Sequence, residues 1–273
     1  MTALDRITNP AVPTPEILGQ ATVIEQSRAV AEVAAAVQVA QQCPRDIDQA
    51  VARMRRACSQ PGLAGQAFYA FPRSGQTVTG PSVYLARELA LCWGNIQYGV
   101  AELRRDDAAG ISEMQAFAWD VETNTRSAQI FIVPHRRDKR GGAERLVDLR
   151  DIYENNANQG ARRVRQAIYS VLPKWFTDEA EEICRRTLTV VTGEQLAQRV
   201  QSAIDQFARG GITLEQLERK VGRPRAEWTA EDVAELGVLF QSLKRKEISR
   251  DEAFPPDPVT VAEITAASGE RVA

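Results

Sequence analysis

The chain has 273 residues, 44% of them hydrophobic and 26% charged, with a net charge of −2. That size and balance describe a folded protein with its own core, and exclude a wholly disordered chain or a uniformly basic nucleic-acid binder. No window approaches the roughly eighteen consecutive apolar residues of a membrane span, and the first twenty residues carry acids and prolines where a signal peptide needs an apolar run, so a cytoplasmic location without membrane contact is expected.

Residues 1–22 are rich in Pro and Thr and are expected to be mobile. From Val23 to Gln42 the Ala- and Val-rich run predicts a helix, stopped at Cys43-Pro44 because the residue before proline is pushed out of the α region. A second helix is expected from Asp46 to Ser59, ending before Pro61-Gly62. Two short aromatic or β-branched runs flank Ser74-Gly75 and predict a hairpin, followed by a helix over Ser82–Trp93 closed by Gly94. Three strands are expected at Ile96–Arg104, Glu113–Val121 and Ala128–Val133, with turns at 106–110 and 122–126.

The next element is the clearest helix, Asn155–Leu172. Ala157, Ala161, Val164, Ala167, Ile168, Val171 and Leu172 recur at three- and four-residue spacing as one apolar stripe, which places Arg162, Arg165, Gln166 and Tyr169 opposite it and Arg163 at its flank. Beyond Gly193, helical stretches at Glu194–Ala208, Leu214–Val221 and Ala230–Lys246 make a small helical module over 193–250, and residues 251–273 have the composition of a disordered tail. The expected fold class is α+β: a small antiparallel sheet with a hairpin packed on a long helix, a helical N-terminal part, a core over 23–192 and the C-terminal module.

Charge is unevenly placed. From Arg126 to Lys174 there are eleven Lys or Arg against five acids, so a near-neutral total hides a basic centre. Arg136, Arg137, Lys139 and Arg140 lie in the segment PHRRDKRGG directly after a strand, as a flexible loop following phosphates would, although a charged glycine-containing loop is also simply well solvated. Arg162, Arg163 and Arg165 fall in a stretch, Asn155 to Lys174, that contains no acid to pair with them. Like charges so close repel unless an anion sits between them, and phosphate suits the planar guanidinium. Tyr153, Tyr169 and Trp175, with Phe176, are candidates for stacking bases, against the alternative that they belong to the core.

Catalytic patterns are missing. His135 is the only histidine, which removes histidine-based zinc sites and tandem-histidine acid–base pairs, and it sits among Arg136, Arg137 and Lys139 where a neutral surface role or a phosphate-side role is expected rather than catalysis. Cys43, Cys58, Cys92 and Cys184 lie far apart with no CxxC pair, so reduced and mostly buried thiols are expected. Neither GxxxxGK[ST] nor GxGxxG occurs. Glu218-Arg219-Lys220 spells the ExK of a metal-dependent nuclease class, but on an expected short helix rather than a core strand. No cofactor, no metal and no enzymatic activity are therefore expected.

The order hairpin, helix, three strands and a long Arg-bearing helix ending in ARRVRQAIYSVLPKW (161–175), with the upstream run PRDIDQAVARMRRACSQPGLAGQAFYAFPRSGQTVTGPSVYLARELA (44–90), resembles the phage-type single-strand annealing proteins of the RecT/Redβ superfamily over residues 25–190. The resemblance implies an ATP-independent DNA-binding protein that acts in homologous recombination. Such a protein assembles into homo-oligomeric rings or filaments, holds single-stranded DNA in a basic groove and anneals it to a complementary strand. The family's DNA contacts map onto Arg126, Arg136, Arg137, Lys139, Arg140, Arg162, Arg163 and Arg165; Lys174 closes the same basic segment. By the same resemblance, 193–250 would recruit partners such as a phage exonuclease or the host single-strand binding protein. The competing expectation is an RNA-binding or regulatory module that does not anneal strands.

Overall fold

A computed structural model describes residues 20–73, 76–139, 142–190, 193–245 and 248–255. The mobile start expected for 1–22 falls almost wholly outside them, as do Arg140 and the tail beyond 255. The fold is α+β.

Helix α1 (Gln20–Gln42) runs to the expected stop at Cys43-Pro44. Helix α2 (Ile47–Cys58) is capped by Asp46, whose carboxylate accepts from the Gln49 N–H at 2.9 Å, and buries Ala50, Met54 and Cys58 at i, i+4, i+8 spacing. A single turn, α3 (Pro61–Ala64), leads into the hairpin of β1 (Phe68–Arg73) and β2 (Gln76–Pro81), in register from Phe68 opposite Pro81 to Arg73 opposite Gln76. Helix α4 (Val83–Trp93) starts on the Ser82 cap and ends at Gly94, whose φ of 79° is one that a side chain would resist.

Three antiparallel strands follow: β3 (Ile96–Asp106), β4 (Ile111–Asp120) and β5 (Thr125–Pro134), in the order β3-β4-β5. Strands β3 and β5 run past their expected bounds, whereas β4 starts two residues early and ends one residue short of the expected Val121. Along β4, Ser112, Met114, Ala116, Ala118 and Asp120 are buried in strict alternation. That face carries α5 (Leu149–Val171), which packs chiefly on β4 and touches both neighbours. A further helix, α6 (Lys174–Thr189), lies against α2 and α3, in a stretch where sequence periodicity gave no element. It buries Phe176, Thr177, Ala180, Ile183 and Cys184, a stripe broken by the charged DEAEE run that hides its apolar period.

Helices α7 (Gly193–Arg209), α8 (Leu214–Val221), α9 (Ala230–Lys244) and the turn α10 (Arg250–Ala253) form the C-terminal module around Phe207, Leu217, Trp228, Leu236 and Leu239. Phe254 joins that core with its ring 5.7 Å from Phe207, so the module reaches past the boundary expected at 250. It is also attached to the main body. Ser242 on α9 accepts the buried Ala70 N–H of β1 at 3.0 Å, and Val238 joins the main core. No described helix is long and apolar enough to cross a membrane.

One buried ion pair ties the first half together. Arg45, between α1 and α2, donates to Asp120 at 2.9 Å and to the carbonyls of Trp93 and Gly94 at 3.0 Å each, with both charged side chains almost fully buried. Asp120 in turn accepts from the N–H groups of Glu122 and Thr123, and the Arg45 guanidinium lies over the Trp93 ring. Removing Asp120 leaves the buried Arg45 guanidinium with the partly exposed Glu122 carboxylate, 3.7 Å away, as its one remaining counter-charge among the described residues. Asp120→Ala is therefore expected to lower folding stability by about 3–5 kcal/mol in urea titrations, whereas loss of under about 1 kcal/mol would show that Glu122 and the carbonyl partners suffice to hold Arg45.

Three of the four cysteines are buried, and only Cys43 is exposed. Burial and the adjoining Glu88 push the Cys92 thiol up to about 12, and the neighbouring Cys184 together with burial raises Cys58 as well. In the native protein an aromatic disulfide reagent should titrate one thiol rapidly; the rest should react only on unfolding. Two fast thiols would contradict this packing.

Candidate nucleic-acid interface

Helix α5 begins at Leu149, six residues before the expected start, because Asp148 caps it by accepting from the N–H groups of Arg150 and Asp151. Asn155, the expected first residue, and Asn156 lie inside it and bond across the fold. Asn155 donates to the Pro134 carbonyl at 3.1 Å, and Asn156 donates to Ser112 at 2.9 Å and to Glu102 at 3.2 Å. The buried face is Ile152, Asn156, Gly160, Val164, Ala167, Ile168 and Val171; Ala157, counted in the expected apolar stripe, is exposed. Gly160 is needed here, since a Cβ would stand 2.8 Å from Val100 of β3.

This orientation sorts the arginines. Arg162 and Arg163 are exposed, and Arg162 has no partner among the described residues. Arg163 leans toward β5, with its guanidinium 5.7 Å from the Phe131 ring and a long 3.5 Å contact to Gln166. Arg165 lies on the other flank, about 200° around the helix from Arg163, and is half-buried with its guanidinium 4.3 Å from the Tyr69 ring of β1. The three therefore do not form one cationic face. Arg165 serves the contact between α5 and the hairpin.

The segment after β5 is a hairpin and not the loop expected from its glycines. Strand β6 (Arg136–Lys139) pairs with β7 (Gly142–Arg145), with Arg136 opposite Arg145, Arg137 opposite Glu144 and Lys139 opposite Gly142. Two arginines directly across a strand pair repel. Arg145 also donates to the Asp107 carbonyl at 3.3 Å, which holds it in place beside Arg136. This pairing singles out Arg145, which stood in the basic segment without a candidate role; only the register reveals it. Arg136 and Arg137 are exposed and have no partner among the described residues.

His135 is not on the surface. It is 3% exposed, with Nε2 2.8 Å from the Ser112 hydroxyl and Nδ1 3.9 Å from Asp107. Its backbone closes the hairpin base, donating to the Gly110 carbonyl and accepting from the Leu146 N–H. Ser112 is fully buried, so this Ser–His pair offers no nucleophile to a substrate. The pair joins β4, α5 and the hairpin through Asn156.

The remaining candidates lie apart from this zone. Lys174 starts α6, beyond the far end of α5 and about 34 Å along that helix from its hairpin end, and is paired with Asp178 at 2.7 Å, which raises its pKa. Arg126 opens β5 beside Trp119, on the sheet face away from α5, with its guanidinium 5.9 Å from the Phe117 ring. Tyr169 packs against the main core and burial pushes its hydroxyl pKa up, so it presents no ring to a base. Trp175 is half-exposed but set edge-on to Trp93 and Phe176. Tyr153 alone of the expected stacking residues stands clear, 69% exposed on the first turns of α5.

The structure thus sets Arg136 across from Arg145 on one face of the hairpin, places Arg137 on the other face opposite Glu144, and puts Arg162 and Arg163 midway along α5. Among the described residues no group of His, Cys, Asp or Glu could hold a metal ion. Comparison with protein-family models, curated proteins and solved structures finds no match to this chain.

Because Arg165 covers Tyr69 while Arg162 covers nothing, the two substitutions should separate. Arg165→Ala is expected to cost about 0.5–1 kcal/mol of stability and leave polyanion binding unchanged, whereas Arg162→Ala should do the reverse. Equal losses of binding in both, measured by fluorescence anisotropy with a labelled oligonucleotide, would restore the single cationic face.

Proposed function

We propose that the chain binds single-stranded nucleic acid along the outer side of α5 and the β6–β7 hairpin and promotes annealing of complementary strands without nucleotide hydrolysis. One observation carries this reading: Arg136, Arg137 and Arg162 are exposed cations with no partner among the described residues, and Arg136 is held against a second arginine. Unpaired guanidinium groups kept close together are stabilised when phosphate oxygens come between them. The element order that resembles the RecT/Redβ proteins supports annealing as the purpose of the binding.

The backbone is gripped in this reading and the bases are left outward for pairing. Tyr153 offers the one well-exposed ring near the helix start. The affinity is electrostatic, so it must fall with salt at about 0.7 log units per phosphate contact for each log unit of salt. Arg162→Ala/Arg163→Ala is expected to reduce that slope by roughly 1.4 and to abolish acceleration in a fluorescence-quench annealing assay with two complementary oligonucleotides. The far-UV spectrum should not change, because neither side chain is buried. Tight binding without faster annealing would favour the module that recognises a structured nucleic acid; loss of oligonucleotide in magnesium buffer would favour a nuclease.

A further inference from the structure

Two guanidinium groups of this chain are buried in opposite ways. Arg45 has an acceptor for its charge and for its donors. Arg245 has neither. It follows the last turn of α9, just beyond the Ser242 that accepts from β1, and its own backbone N–H donates to the Gln241 carbonyl, so its position is fixed. Its Nη1 and Nη2 are buried without a hydrogen-bond partner among the described residues, and those two atoms carry four of the five N–H donors of a guanidinium. No other charged side chain among the described residues is left so. What Arg245 has instead is the Tyr84 ring of α4, 4.4 Å from its guanidinium. A ring face attracts the charge but does not take up four donors.

Tyr84 is shared with a second feature. It also lines an open groove of about 370 Å³ between α3, α4 and β3, together with Leu63, Leu91 and Tyr98 and with the charged Arg87 and Glu88. Leu91 is 70% exposed and Tyr84 41% exposed, so the apolar wall stands open. Arg87 is exposed and has no partner among the described residues. The groove has the size of a small-ligand site. Arg245 and Arg87 against Glu88 leave one net positive charge, which matches a monoanion; a dianionic phosphate would be set against Glu88. A guanidinium with both terminal nitrogens free takes a carboxylate through two parallel bonds.

We infer that this groove binds a small organic carboxylate. Its carboxylate lies on Arg245 with Arg87 beside it, and its aromatic or aliphatic body lies on Leu63, Leu91 and Tyr98. The exposed Tyr84 ring turns aside from the guanidinium as the ligand enters. Because α9 supplies Arg245 and α4 supplies the groove, the ligand fastens the C-terminal module to the main body. A buried group left unsatisfied lowers the stability of the free protein, and a binding site is where such a group is retained. The site uses none of the cations assigned to nucleic acid, and a chain that binds no oligonucleotide would leave it standing.

The test uses the full chain with phenylpropionate at millimolar concentration as the probe, and phenylpropionamide and inorganic phosphate as controls, followed by saturation-transfer NMR and by the thermal unfolding midpoint. Phenylpropionate is expected to bind saturably and to raise the midpoint, and neither control should do so. Arg245→Met should weaken the probe by about tenfold or more. Its own midpoint without probe should equal or exceed that of the unsubstituted protein, because an apolar side chain of similar length needs no acceptor. Leu91→Glu, a change at an exposed position, should weaken the probe comparably while leaving the fold intact. No saturable binding, an amide or phosphate that binds as tightly as the acid, unchanged affinity in either variant, or a lower midpoint in Arg245→Met would overturn the inference.

Discussion

Helix α5 can bury only one side, and the way it lies on β3, β4 and β5 decides what every cation on it can do. The crossing is close because Gly160 lets the backbone approach Val100. Its azimuth is held by Asn156, whose amide donates to Ser112 of β4 and Glu102 of β3. With that rotation set, Val164, Ile168 and Val171 enter the core, Arg162 points to solvent, and Arg163 and Arg165 fall on opposite flanks above different aromatic rings. A rotation of the helix by one position would bury an arginine, which costs far more than any contact the turn could gain.

The same network reaches the hairpin. Ser112 links Asn156 to His135, and His135 closes the base from which β6 and β7 project. Helix and hairpin are thus fixed by a shared set of buried hydrogen bonds, so their cations hold a constant relation. A fixed relation of this kind would favour the proposed binding to a row of phosphates, since less loop entropy would be lost on binding.

Local signals were legible where a cap or a proline states them. The stop at Cys43-Pro44, the helix starts expected at Asp46 and Ser82 and the glycine at 94 gave element boundaries within a few residues, and the α+β class followed from their order. What failed depended on tertiary partners. The apolar period placed the helix start at Asn155, whereas Asn155 and Asn156 lie inside the helix and their side chains bond to Pro134, Ser112 and Glu102. His135, flanked by cations, read as exposed, and nothing local could reveal the buried Ser112 that receives it. Helix α6 escaped because its apolar positions are sparse among DEAEE.

The candidate site was legible as a charge excess but not as a geometry. Counting treats the cations between Arg126 and Lys174 as equivalent, and their commitments differ. Lys174 is held by Asp178, Arg165 by Tyr69 and Arg145 in part by the Asp107 carbonyl, whereas Arg136, Arg137 and Arg162 have nothing comparable among the described residues. A cation already paired must give up that partner to meet a phosphate, and a cation over a ring must expose the ring. An uncommitted one loses only part of its hydration and its rotamer freedom, so it returns more binding free energy per contact. Recognition should therefore concentrate where commitments are fewest, at the hairpin and at the middle of α5, and a sequence shows how many charges exist without showing which of them are already engaged.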